Sequence, residues 1–189
     1  MVETMNLKET SLLVILSLGL VLITNCRTFQ ASSSKGVLDI TYRINPTPGA
    51  EPSGQTAIWL EDHQGRYLRT VFVSNWLSFG GYKRDGVCPD WSSVADWGRA
   101  NEREFDAVTM ATPTVGRHTL NVRCDKHNLV PGTYRYCVQA HTVERKNVLY
   151  RGEITIGGEP QEDEALPIIQ SESEEASILT GVRARFHYP

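Results

Sequence analysis

The chain has 189 residues, of which 40% are hydrophobic and 22% charged, an ordinary globular composition. Its 19 Lys and Arg against 22 Asp and Glu leave a net charge of −3, with Glu159, Glu162, Asp163, Glu164, Glu172, Glu174 and Glu175 crowded into one stretch without a base. The remainder is only mildly basic and its charges are scattered, which excludes a nucleic-acid footprint. Once a leader and the acidic stretch are set aside, about one domain's worth of chain remains, enough to bury a core without relying on disulfides.

Ser11 to Thr24 (SLLVILSLGLVLIT) is an uncharged apolar run. It is short of the ~20 residues of a spanning helix and suits a secretory leader. Lys8 precedes it, while Glu3 and Glu9 weaken the positive flank; a start at Met5 would remove Glu3. The run ends Leu22-Ile23-Thr24-Asn25-Cys26, which resembles a bacterial lipobox, with Asn25 where Gly, Ala or Ser is usual. The expected organisation is a signal peptide over 1–25, lipidation at Cys26 and a Ser-rich tether over 26–36. The product would be anchored to a membrane facing the periplasm or the cell exterior. A plain signal peptide and a soluble periplasmic product are the alternative.

Short strand-like segments then follow. Val37–Ile44 alternates and stops at Asn45-Pro46-Thr47-Pro48-Gly49. Gln55–Glu61 and Arg66–Ser74 flank His63-Gln64-Gly65 and read as a hairpin. His118–Cys124 and Gly132–Val143 are separated by a turn-forming cluster ending in Pro131-Gly132. Val148–Ile156 and Ile178–Tyr188 complete the set. The pattern predicts an all-β, immunoglobulin-like antiparallel β-sandwich over 37–189. The acidic stretch 157–177, with Pro160, Pro167 and little to bury, reads as a disordered loop within it.

One segment between strands looks helical. Pro89-Asp90 opens WSSVADW, Asp90 or Ser92 can cap it, and Gly98 can close it. With Trp76, Phe79 and Tyr82 it forms an aromatic-rich insertion. Two readings stand: the rings cover an open end or face of the sandwich, making up for Cys124, or Trp76, Trp91 and Trp97 form a binding surface with Arg84 or Arg99 beside them. Cys88, Cys124 and Cys137 allow one disulfide at most. Strand phase points Cys124 inward and Cys137 outward. Cys124 and His127 have half-site spacing, but no second half-site for zinc exists, so no metal is expected.

Ala57-Ile58-Trp59-Leu60-Glu61-Asp62, then Gly65-Arg66-Tyr67-Leu68-Arg69-Thr70, then Trp91 or Trp97, Asp106-Ala107-Val108-Thr109-Met110-Ala111-Thr112-Pro113, Gly116 and Pro131-Gly132-Thr133-Tyr134 carry a family resemblance. In order and spacing they resemble the predicted periplasmic proteins called domain of unknown function 2271. The resemblance implies an exported domain, sometimes encoded near membrane proteins of flavin and iron metabolism, with the Asp106 motif kept. Gly116 to Ala140 is also similar to the immunoglobulin-like domain of the flagellar hook-capping protein, where a strand, a short loop and Pro-x-Gly-x-Tyr form one hairpin. There Cys124-Asp125-Lys126 stands in the place of Trp-Asp-Gly.

No nucleophile elbow, metalloprotease motif or phosphate-cradling Gly-rich loop occurs, and no cofactor is expected. His141 with Glu144, and Asp106 with Thr109, Thr112 and His118, are the only polar groupings that suggest acid–base chemistry. A buried Asp106 holding loop amides would explain its motif without catalysis. The expectation is a non-catalytic binding or accessory module whose partner is an envelope protein or small ligand. An envelope hydrolase or redox accessory factor, or a structural surface lipoprotein, are the rivals.

Overall fold

Strict alternation decides the first strand: β1 (Val37–Ile44) buries Leu38, Ile40, Tyr42 and Ile44 and turns the residues between them away. The computed structural model describes residues 32–46, 55–141, 147–168 and 178–189, all within the unit Ser32–Pro189. β2 (Gln55–Asp62) and β3 (Tyr67–Ser74) form the expected hairpin. Asp62 builds its turn, accepting the backbone N–H groups of Gln64 and Arg66 at 2.9 Å each, and Gly65 takes φ +83°.

The remaining strands are β4 (Thr109–Met110), β5 (Gly116–Arg123), β6 (Gly132–His141), β7 (Asn147–Ile156), β8 (Gln161–Glu164), β9 (Leu166–Ile168) and β10 (Leu179–His187). They form a four-stranded sheet, β5-β1-β10-β8, and a six-stranded sheet, β4-β3-β2-β6-β7-β9. All pairings are antiparallel except the short β3–β4 contact. The all-β sandwich expected from the alternation is therefore observed, with few and short helices. Its inter-sheet core joins Leu38, Ile40 and Phe186 to Ile58, Tyr136 and Val138.

Two expectations are corrected here. The β5–β6 segment is no hairpin: β5 pairs with β1 in one sheet and β6 with β2 and β7 in the other. Turn residues at Pro131-Gly132 bend the chain either way, and only the partners decide between a hairpin and a crossing. Tyr134 is buried as expected, and its hydroxyl donates to the Val130 carbonyl at 2.8 Å, pinning that crossing.

The described part of the acidic stretch, 157–168, holds β8 and β9. β8 pairs Glu164 with Arg183 and Glu162 with Arg185 on β10, so the charge run faces bases across the strands. The buried Tyr136 hydroxyl donates to the Asp163 carboxylate at 2.9 Å and to its carbonyl at 3.0 Å. A core hydroxyl needs an acceptor, and Asp163 supplies it. The rest of the expected loop, 169–177, lies outside the described residues, as do the leader, Cys26 and the loop carrying Glu144.

The connection between β3 and β4 holds α1 (Asn75–Ser78), a 3₁₀ turn (Gly81–Lys83), α2 (Pro89–Ala95), a second 3₁₀ turn (Trp97–Arg99) and α3 (Glu102–Val108). α2 is the expected helix, with Pro89 at its first position. Its caps differ from expectation. Cys88 and Asp96, both left-handed, flank it without a side-chain cap, and Gly98 lies in the 3₁₀ turn beyond. α3 was not expected, although Asn101 three residues before Glu104 was a signal for it: the Asn101 side chain accepts the Glu104 N–H at 3.0 Å.

Candidate binding surface

Both faces of the middle strands are buried. β2 turns Ile58 and Leu60 to the sandwich, and Ala57 and Trp59 to the opposite side. There Val73, Cys137 and Leu149 join them, and Leu77, Val87, Cys88, Trp91, Trp97 and Val108 of the helical connection close over them. The insertion is thus a covering layer on the outer face of the six-stranded sheet. Cys124 sits in the inter-sheet core and Cys137 under the layer, opposite in phase as the alternation indicates.

The layer is fastened by polar groups that sequence reasoning did not single out. The Gln139 carbonyl oxygen accepts the Trp91 backbone N–H at 3.0 Å, and the Gln139 amide donates to Asp90. Asn147 accepts from the Cys88 backbone N–H at 3.0 Å and donates to the Gly86 carbonyl at 2.7 Å. The Trp91 indole donates to Thr70 at 2.9 Å, and the Trp59 indole donates to buried Glu61 at 2.9 Å. Arg151 reaches Glu61 at 3.5 Å. Gln139 and Glu61 lie on buried stretches of strand, which was the one signal available for them.

Burial divides the three expected indoles. Trp91 is 0% exposed and Trp97 4%, with ring centroids 5.4 Å apart, so neither belongs to a surface. They complete the apolar outer face of the sheet and do not replace volume beside Cys124, which lies on the other side. Trp76 is 44% exposed. Its ring lies on Gly81, where a Cβ would meet ring atoms at 2.4 Å, and the Arg84 guanidinium stands 5.6 Å from its centroid. Arg99 is turned to Asp96 at 3.5 Å. Phe79, 70% exposed, stands edge-on to Phe105 at 4.8 Å. Met110 is also exposed, on β4, which pairs with the end of β3 from which α1 starts.

The groupings with acid–base potential do not converge. Asp106 is exposed on α3 and its side chain makes no hydrogen bond among the described residues, so it holds no loop amides. Thr109 bonds Ser78 at 2.8 Å, while His118 lies in the other sheet against the Thr114 carbonyl at 2.7 Å. His141 is buried beside Asn147 at 3.2 Å, and burial holds its pKa below the usual value. The three described thiols are free and buried. Burial pushes Cys137 up to about 12 and Cys124 to about 11, and raises Cys88 as well. Among the described residues, no group of three or more His, Cys, Asp or Glu gathers as a metal site.

The fold and its surface define an all-β sandwich domain whose six-stranded sheet wears an aromatic covering layer with an exposed Trp–Phe–Arg face. A family model described as predicted periplasmic protein, domain of unknown function 2271, matches residues 38–171, and the chain belongs to that family. Comparison with curated proteins and with solved structures found no match. No helix among the described residues is long and apolar enough to cross a membrane.

Proposed function

We propose that the protein is an exported, lipid-anchored, non-catalytic binding module that engages an envelope protein through Trp76, Phe79 and Arg84. The observation carrying this reading is the half-exposed Trp76 ring, held between Gly81 and Arg84 with Phe79 exposed nearby in the same connection. Aromatic and Arg side chains on a fixed support are the usual anchors of protein interfaces, and large rings with no core to fill mark interaction sites. The apolar run before Cys26 and the family's periplasmic description support export. The anchor rests on the Leu22–Cys26 sequence and holds the domain at a membrane surface through the 26–36 tether.

One experiment tests both parts. Cells carrying the wild type, Cys26→Ser or Trp76→Ala are fractionated after chemical cross-linking. Cys26→Ser should move the protein from the membrane to the soluble envelope fraction. Trp76→Ala should stay at the membrane and lose the cross-linked partner. A Cys26→Ser protein still membrane-bound would refute the anchor. A Trp76→Ala protein with an unchanged cross-link would refute the surface.

A further inference from the structure

The opposite flank of α3 carries a second, chemically different feature, independent of the aromatic surface. A cleft of about 490 Å³ opens between β3, α3 and the β5–β6 connection. Arg69 enters it from β3, Arg103 from α3, and Lys126 and His127 from the connection. Glu104 is the single carboxylate in its lining. None of Arg69, Arg103 and Lys126 forms an ion pair among the described residues, whereas Arg66, Arg99, Arg123, Arg135, Arg151 and Arg183 each do. Three unpaired cations from three separate elements therefore converge on one hollow, against one acid.

Burial, and after it the positive charge of Arg69, lower the pKa of His127, while Asp125 acts in the opposite direction. Holding like charges together costs free energy, which an anionic ligand would recover. On β10, by contrast, Arg183 and Arg185 stand across from the acids of β8. The cleft also has the size of a small-molecule site, roughly 300–1,000 Å³. Leu68 and Ala107 give it an apolar wall beside its charges.

We propose that this cleft binds the phosphoryl group of a phosphate-bearing ligand. A phosphate monoester carries about −1.5 to −2 charges at neutral pH, with three acceptor oxygens. That matches an excess of two positive charges, and the forked guanidinium groups of Arg69 and Arg103 suit phosphate oxygens. Leu68 and Ala107 would take the apolar part of the molecule. Thr70 lines the cleft and accepts the Trp91 indole N–H at 2.9 Å, so occupancy is coupled to a buried indole and readable by fluorescence.

The test titrates the full chain with sodium pyrophosphate, followed by Trp fluorescence and calorimetry, and in a second arm with phosphatidylglycerol vesicles in a sedimentation assay. Saturable pyrophosphate binding is expected. Arg69→Gln and Lys126→Gln should each weaken it about tenfold or more, the loss of one charge-assisted contact, while Arg183→Gln on the other sheet leaves it unchanged. Vesicle capture that the same two variants abolish, without a pyrophosphate signal, assigns the phosphoryl group to a lipid headgroup. Melting temperatures accompany every variant; Lys126, exposed on a connection, carries the test should Arg69→Gln fold poorly. The proposal is overturned if neither probe saturates, or if both variants bind as the wild type does.

Discussion

The two faces of the six-stranded sheet are both sealed, but by different means. On one, a second sheet closes the gap with alternating Leu, Ile, Val, Tyr and Phe, its own backbone groups satisfied within its ladder. On the other, short helices and turns close it, and their backbone groups need side-chain partners. Gln139 and Asn147 supply them to Trp91 and Cys88. A sheet seals by periodicity alone, whereas an irregular layer needs specific polar fasteners. The irregular layer leaves side chains such as Trp76 and Phe79 facing solvent, and the one surface reading that survives the burial pattern lies there.

The largest expected effect tests whether the two cores form one unit. Trp91→Ala should cost about 3–5 kcal/mol, comparable to Phe186→Ala between the sheets. Urea unfolding in a single transition for both variants would show joint folding. A small loss for Trp91→Ala with an early, separate transition would show that the layer opens by itself.

Asp163 sharpens the boundary of the sandwich. Asp163→Ala should cost about 1 kcal/mol, because the buried Tyr136 hydroxyl and the Glu153 N–H lose its carboxylate. A loop without packing would leave stability unchanged, so the melting temperature separates the two descriptions.

His141 adds a pH arm on the layer side. Its folded pKa lies below the ordinary imidazole value of 6.5 because burial disfavours the cation. Below pH 6.5 the unfolded chain takes up a proton that the folded chain refuses. The stability from this group is therefore complete above pH 6.5 and falls as pH drops toward the folded pKa. His141→Gln should flatten that acid-side loss in melting curves recorded between pH 7 and 5, and an unaltered slope would show that other groups dominate.

Trp76→Ala should have the smallest effect on stability, within about 0.5–1 kcal/mol, because its ring is half in solvent. The same variant has the largest expected effect on partner capture. A loss of several kcal/mol would place Trp76 with Trp91 and Trp97 in the layer's own core. The sequence groups three indoles in one connection, and nothing local distinguishes the exposed Trp76 from the buried Trp91 and Trp97.

Local chemistry was enough for much of this chain. Alternation in Val37–Ile44 places its core face, Asp62 and Gly65 form the hairpin turn, Pro89 opens a helix, and the opposite phases of Cys124 and Cys137 emerge from strand period alone. These are properties of neighbouring residues, set by backbone sterics and side-chain period. What required the tertiary structure was pairing at a distance. β5 and β6 join different sheets, and the acids of β8 meet Arg183 and Tyr136 from strands elsewhere in the chain. Ala57, Trp59 and Cys137 carry an apolar outer face that only a covering layer can explain. Arg69, Arg103 and Lys126 are far apart in sequence and share one cleft. Each of these depends on which segments meet, and a contact between distant residues leaves no period in the sequence of either one.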